Sequence, residues 1–373
     1  MSQKAKVCVM TSVHPPFNAR VFHKQAKSLA SAGYEVVLVV PHEKDEVVGG
    51  VRIKAVPKAA GRAGRMTATA ARVLSAALKE KADVYHFHDP ELIPAGLFLK
   101  AMGKRVIYDV HEYYRMKFAS RGALPSVLRR PLGWLYDEFE NAAAGFFDGV
   151  VAVDRVIEDK FGGHAVKVTN FPFFHDIRRK ERGGGDGKYA CIYIGSIAKE
   201  RGIFQMVEAM ELLDERFRLV LAGIDHEDNI PKAQSMPGFR KVSWLGNRPW
   251  DEALGLLASA DIGLLLLQPS PSYSLTGEGI TKLFEYMMAG LPVLSSDFPN
   301  IKGIIEMEDC GVTVDPTDPA LIAREIESLA ENAGMRRRMG RKGVEAVRER
   351  YNWGVEEKKL LDLYGRILKE KRA

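Results

Sequence analysis

The sequence predicts an α/β protein of two domains, each a parallel sheet with helices on both sides. Three observations carry this. At 373 residues the chain is about twice the length of a typical domain. An apolar run from Lys6 to Ser12, a helical stretch and a second apolar run, Glu35–Pro41 (E-V-V-L-V-V-P), follow one another in the order of a βαβ unit. The pattern then restarts at Tyr189–Ser196, where Y-A-C-I-Y-I-G-S echoes the V-C-V-M-T-S of the first strand.

Composition narrows the class. A hydrophobic content of 46% is ordinary for globular protein and ample for two cores. No window holds about 18 uninterrupted apolar residues, so no membrane span is expected. The N-terminus (M-S-Q-K-A-K-V-C-V-M) lacks an apolar core and a cleavage site, which points to a cytoplasmic protein. Cys8, Cys191 and Cys310 are far apart and without metal spacing, as free thiols would be. The net charge of +6 is uneven: residues 1–170 hold 25 Lys+Arg against 17 Asp+Glu, the remainder 29 against 31. The excess is densest from Arg52 to Lys81. A basic N-terminal half suits anionic lipid or a phosphorylated acceptor, with a solvated basic face as the plain alternative. No compact basic motif with interleaved aromatics is present, so nucleic acid is not expected.

In the first half, His14–Arg20 (H-P-P-F-N-A-R) reads as a loop, because two prolines forbid regular pairing. Val21–Ala32 reads as a helix with Val21, Ala26, Leu29 and Ala30 on one face. No G-x-G-x-x-G follows the first strand, which excludes a nicotinamide dehydrogenase. Gly61–Lys81 reads as a basic helix, and Asp83–His88, Lys104–Val110, Gly149–Val153 and Val166–Asn170 as strands. His86 and His88 share a face of theirs. With Asp89 they suggest a metal, but no third well-placed ligand is evident and none is expected. His88 and Asp89, at a strand end, are instead expected to line a cleft. The segment Tyr113–Arg130 mixes Arg115, Lys117, Arg121, Arg129 and Arg130 with apolar residues, a composition that lies in a membrane interface or packs as loop and helix. The Trp134 end is expected to pack on the domain.

The charged run R-R-K-E-R and Gly183-Gly184-Gly185-Asp186-Gly187 mark a linker. The expected division is residues 1–171, a linker at 172–188, a second domain at 189–350 and a last segment, 351–373. Within the second domain, Ile203–Leu213 reads as a helix and Arg218–Gly223, Val242–Gly246 and Asp261–Pro269 as strands. The most informative stretch is Gly277–Pro292, G-E-G-I-T-K-L-F-E-Y-M-M-A-G-L-P. A Gly-containing loop enters a short helix, Gly290 and Pro292 end it, and Val293–Ser296 follows as a strand. Unpaired N–H groups at the positive end of such a helix suit a phosphate. Lys282 adds a cation in the first turn, and Glu285, one turn on, accepts hydrogen bonds from hydroxyls. Diphosphate at the helix start and ribose at the carboxylate would place a nucleotide here; an exposed Lys–Glu pair is the alternative.

This stretch resembles the donor-site signature of the retaining glycosyltransferases of family 4, in the variant subgroup with K-L-F-E-Y-M-x-A-G-x-P. The resemblance runs over nearly the whole chain. It implies the GT-B fold, two Rossmann-like domains facing across a cleft, with the last helix crossing back to the first domain. Glu285 matches the second Glu of the family pattern; the first falls at Gly277, with Glu278 one residue late. By resemblance, the D-V-H-E run places His111 at the donor sugar beside Glu278. Gly195 precedes Ser196, which stands where the family has Arg, while Arg201 keeps the second cation. Gly223 ends its strand at the donor. Lys282 and the amides near Gly279, Ile280 and Thr281 hold the diphosphate, and Glu285 the ribose. In the first loop Asn18-Ala19-Arg20 replaces the family's Gly-Gly pair, and Asn18, Arg20, His88 and Asp89 are the expected acceptor contacts.

The implied reaction moves a sugar from a nucleoside diphosphate to a hydroxyl of a sugar or lipid-linked glycan, with retention and without metal or cofactor. His111, Arg201 and Glu278 act at the reaction centre, the leaving phosphate helps take the acceptor proton, and positioning and charge stabilisation supply the rate. Cell-surface polysaccharide assembly and peripheral contact with an anionic membrane face are further expectations. A nucleotide-sugar epimerase of the same fold and a non-catalytic sugar-nucleotide-binding subunit are the alternatives.

Overall fold

Strands and helices alternate along the chain in the computed structural model, which describes residues 5–114, 125–177, 188–270, 273 and 278–369. The chain divides into two units, residues 1–170 with 353–373 and residues 171–352. The Gly-rich run of the expected linker, Gly277, and Arg115, Lys117 and Arg121 of the basic–apolar segment lie outside the described residues.

The first unit is built on β1 (Lys6–Met10), β2 (Glu35–Pro41), β3 (Glu46–Val48), β4 (Val51–Val56), β5 (Val84–Phe87), β6 (Arg105–Val110), β7 (Gly149–Ala152) and β8 (Ala165–Lys167). Their order across the sheet is β3-β4-β2-β1-β5-β6-β7-β8. The β3–β4 pair is antiparallel and the other pairs are parallel. β1 is buried on both faces: Cys8 and Met10 pack with Tyr85, Phe87 and Tyr108, while Val7 and Val9 pack with Phe22, Leu29 and Trp353. Two buried faces are why its sequence is an unbroken apolar run. Chain order reverses between β1 and β5, so the loops leaving their carboxyl ends part and open a crevice.

Asn18 caps the first helix, its Oδ1 accepting from the N–H groups of Arg20 at 2.9 Å and Val21 at 3.0 Å. That helix opens with π-type turns over Ala19–Ala26 and continues as α-helix over Lys27–Ser31. The last helix, Trp353–Lys369, belongs to this unit. Its buried Trp353 donates to Ser28 Oγ at 2.9 Å, and Glu356 accepts from the Thr169 N–H at 2.7 Å.

The helix Ser126–Ala144 corrects one expectation. Trp134 does not pack away: it is 54% exposed and Leu135 60%. The face turned inward is Gly133, Asp137, Glu140, Ala143 and Ala144. Lys160 recruits it, reaching Asp137 at 2.6 Å and Glu140 at 2.5 Å, and Glu140 also accepts from the Tyr108 hydroxyl at 2.7 Å. Burying this ionic group turns Val127, Leu128, Leu132 and Trp134 outward.

The second unit carries β9 (Tyr189–Ile194), β10 (Phe217–Ala222), β11 (Val242–Trp244), β12 (Ile262–Leu265), β13 (Val293–Ser296) and β14 (Gly311–Val314), all parallel, in the order β11-β10-β9-β12-β13-β14. Chain order here reverses between β9 and β12. β9 is again buried on both faces, Cys191 and Tyr193 in one cluster and Ile192 in another. The three cysteines are free and buried, and burial raises each thiol above its ordinary pKa. Among the described residues no helix is long and apolar enough to cross a membrane.

Candidate functional site

Each unit holds a polar constellation at its own sheet reversal. In the first, a cavity of about 780 Å³ opens where His14 follows β1, His88 and Asp89 follow β5, and His111 and Glu112 follow β6. Three of the residues assigned from sequence, His88, Asp89 and His111, therefore meet on one cavity. Asp89 Oδ2 accepts from Thr11 Oγ1 at 2.6 Å and from the N–H groups of Ser12 at 2.5 Å and Val13 at 3.2 Å, which pins the β1 loop to the β5 end.

Beneath this cavity lies Asp109, fully buried. Arg20 Nη2 donates to both its oxygens, at 3.0 and 3.1 Å, and Gln25 Nε2 donates to Oδ2 at 2.5 Å. Burial would push its carboxyl up, but the Arg20 and His111 charges outweigh it and hold it well below the usual carboxylate range. His111 Nε2 lies 3.1 Å from Asp109 Oδ1 and 3.1 Å from His88 Nδ1. A carboxylate only accepts, so His111 Nε2 carries hydrogen. Tyr364, from the last helix, places its hydroxyl 2.8 Å from His86 Nδ1.

Two expectations change here. Arg20 does not present its guanidinium outward: it is 4% exposed, and Nη1 donates to the Val168 carbonyl at 2.7 Å while Nη2 holds Asp109. The buried carboxylate two strands away is what turns it inward. Asn18 spends its carbonyl oxygen on the helix cap. Asp109 also supplies the third ligand that the His86–His88 pair lacked, with ligand atoms within 4.8 Å of one another. Its oxygens already carry the Arg20 and Gln25 donors, so a dication would have to displace a guanidinium. The group reads as a buried ion-pair network. Asp109 was missed in the sequence, although alternation with His111 along β6 places both on one face.

In the second unit the helix Thr281–Met288 follows the loop after β12. Gly290 ends it with φ of 68°. Lys282 lies directly over Gly195, at the end of β9: a Cβ on Gly195 would overlap the Lys282 side chain, and one on Gly223 would overlap the Gly195 carbonyl. Both glycines sit at positive φ, 154° and 147°, so these strand ends approach each other and the lysine closely because neither has a side chain. Burial lowers the Lys282 pKa, Glu285 opposes the shift and Arg201 adds to it. The Arg201 guanidinium stacks 4.8 Å from the centre of the Tyr273 ring, a partner not singled out in the sequence. Among the described residues neither Lys282 nor Arg201 is in an ion pair. Glu285 and Thr281 are half-buried on the same helix, Gly279 and Ser196 are exposed, and Ile280 is buried at the helix start. Glu278 is half-buried, and its charge reaches Tyr351.

Comparison with known proteins follows this division. Residues 19–172 match the model of the glycosyl transferase 4-like domain, and residues 175–346 that of glycosyl transferases group 1. The chain belongs to the GT-B glycosyltransferases. An uncharacterized glycosyltransferase of Methanocaldococcus jannaschii is 29% identical to this glycosyltransferase over 50% of its chain and 47% of the relative, so the match spans about half of that protein. Sucrose-phosphate synthase from Thermosynechococcus elongatus superposes with a TM-score of 0.75 at 17% identity, covering 98% of this chain and 99% of that one. Anabaena HepE, solved in complex with UDP-glucose, gives 0.72 at 12% identity, covering 97% and 100%. At these identities the two structures speak for the fold of the glycosyltransferase.

Proposed function

We propose that this glycosyltransferase moves a sugar from a nucleoside diphosphate donor to an acceptor hydroxyl, with retention and without a metal or cofactor, as in the K-L-F-E-Y-M variant subgroup of family 4. The observation that carries the reading is a pair of cations, Lys282 over Gly195 at the start of the helix Thr281–Met288 and Arg201 close enough for its charge to lower the Lys282 pKa. Two half-buried cations without an ion-pair partner among the described residues are costly unless a counter-charge arrives. A diphosphate supplies one, and the unpaired N–H groups of the helix start reinforce it. Glu285, one turn further, takes the ribose hydroxyls. As the sugar leaves, charge grows on the diphosphate, and the same groups stabilise it. Glu278, in the same unit as these groups, takes the sugar hydroxyls. The UDP-glucose complex of the Anabaena relative supports a nucleotide sugar as donor.

A melting panel of UDP-, GDP- and ADP-sugars on wild type and Glu285→Ala tests this. A ligand confined to the native state adds about 2.7 kcal/mol at a hundredfold excess over Kd. One base should stabilise selectively and lose its effect in the variant; no shift with any donor would contradict the proposal.

The reading extends to work at an anionic lipid surface, on a sugar or lipid-linked glycan of the cell surface. The helix Ser126–Ala144 supports it, with Val127, Leu128, Trp134 and Leu135 exposed beside Arg129 and Arg130. Flotation with anionic vesicles should carry the wild type and not Trp134→Glu/Leu135→Glu; wild type left at the bottom of the gradient would refute it.

A further inference from the structure

The cavity of the first unit is opposite in charge to the half of the chain that builds it. Among the described residues lining it are three carboxylates, Asp89, Glu91 and Glu112, and a single cation, Arg65. That cation is already engaged, its Nε donating to Glu91 Oε1 at 2.9 Å. The three lining imidazoles do not make up the deficit: His111 is engaged by Asp109 at 3.1 Å. His14 and His88 are both held neutral by burial, His88 also by the neighbouring His86. Among the described residues, a phosphate entering here would meet carboxylates and no uncommitted cation, and would lose its hydration without replacement.

The same walls suit hydroxyl groups. Carboxylates accept several hydrogen bonds each. Tyr114, Tyr136 and Phe139 line the cavity too, and Phe139 is 45% exposed. Aromatic walls with a few convergent polar groups, in a volume of this order, are the make-up of a small-ligand site.

We propose that this cavity binds an uncharged, hydroxyl-rich sugar ring, stacked on the aromatic wall and hydrogen-bonded to the carboxylates and imidazoles, and that it rejects phosphorylated sugars. The inference rests on the glycosyl-transfer reading for its role, because it names the acceptor class of that reaction. It reverses the expectation, drawn from the basic composition of residues 1–170, that a phosphorylated acceptor is favoured.

The test is calorimetric titration of the full chain, without donor, with methyl glucoside, methyl mannoside and maltotriose, and with glucose 6-phosphate and mannose 6-phosphate. At least one neutral glycoside should saturate, and its phosphorylated counterpart should bind at least tenfold more weakly. Phe139→Ala, which empties no core, should weaken the neutral ligand about tenfold. Glu91→Gln releases Arg65 and should narrow the gap between neutral and phosphorylated ligands at least threefold. A phosphorylated sugar that binds as tightly as its neutral parent, no saturable binding by any neutral glycoside, or a gap unmoved by Glu91→Gln would overturn the proposal. UDP, GDP and ADP titrated into the same sample separate the two readings. Nucleotide binding without sugar discrimination defeats this inference alone; sugar discrimination without nucleotide binding defeats the donor assignment alone.

Discussion

The two units solve the same structural problem with opposite electrostatics. Each places its polar constellation where chain order reverses in a parallel sheet, β1 against β5 in one and β9 against β12 in the other. In the first unit the charges are mutually satisfied: Arg20 holds Asp109, Asp89 holds the β1 loop, and Arg65 holds Glu91. What is left to face the cavity is acceptor oxygen, neutral imidazole and aromatic carbon. In the second unit Lys282 and Arg201 converge without a paired anion among the described residues. The half with the basic excess thus builds the acidic cavity, and the half with 29 Lys+Arg against 31 Asp+Glu builds the cationic one. Bulk charge describes a surface; ligand chemistry follows from which charges are left without internal partners.

If the first unit's charges are internal supports, removing one should cost stability before it costs binding. Arg20→Ala leaves Asp109 buried and unpaired, and should destabilise the protein by about 3–5 kcal/mol in urea unfolding. A loss below about 1 kcal/mol would mean that Arg20 is not a structural counter-ion. If the second unit's charges act on ligand, the reverse holds. Arg201→Ala should lower kcat by about 10²–10³ while the urea midpoint stays near wild type; a variant with full kcat would break the comparison on that side.

A smaller effect sharpens it through pH. Burial lowers the His86 and His88 pKa values below the ordinary 6.5, so the unfolded chain binds more protons than the native one once the pH drops below that value. Stability is therefore complete above about 6.5 and declines as the pH falls through that point. Asp109, held below its ordinary 3.8, adds its own loss only in stronger acid. The urea midpoint should be lower at pH 5.5 than at pH 7.5, and His88→Gln should shrink the difference. A midpoint that rises on acidification would contradict the neutral assignment. Smallest of all, Asn18→Ala should cost about 1 kcal/mol, as loss of a helix cap does, with little change in acceptor affinity.

Much of the fold was legible because buried parallel strands leave long apolar runs, as at Glu35–Pro41 and Tyr189–Ile194. The hairpin of β3 and β4 was not singled out, although Gly49-Gly50 between two β-branched runs, at φ of 57° and 79°, is a turn signal. The pairing of Lys282 with Glu285 was legible for a local reason: the two sit one turn apart on one helix. The network around Asp109 was not, because its members come from positions 20, 25, 86, 88, 109, 111 and 364, and only the sheet brings them together. Arg20 and Trp134 were misjudged for the same reason. Their orientation is decided by distant partners, Asp109 for one and the Lys160–Glu140 pair for the other.

The most direct measurement is calorimetric titration of the nucleoside diphosphate that the melting panel selects, into wild type, Lys282→Ala and Phe139→Ala. The account predicts one-site binding to wild type, weakened at least tenfold in Lys282→Ala, since a charge-assisted contact contributes about 1.5–3 kcal/mol, and unchanged in Phe139→Ala. Affinity retained in Lys282→Ala, or lost in Phe139→Ala, would contradict the division of labour between the two sites.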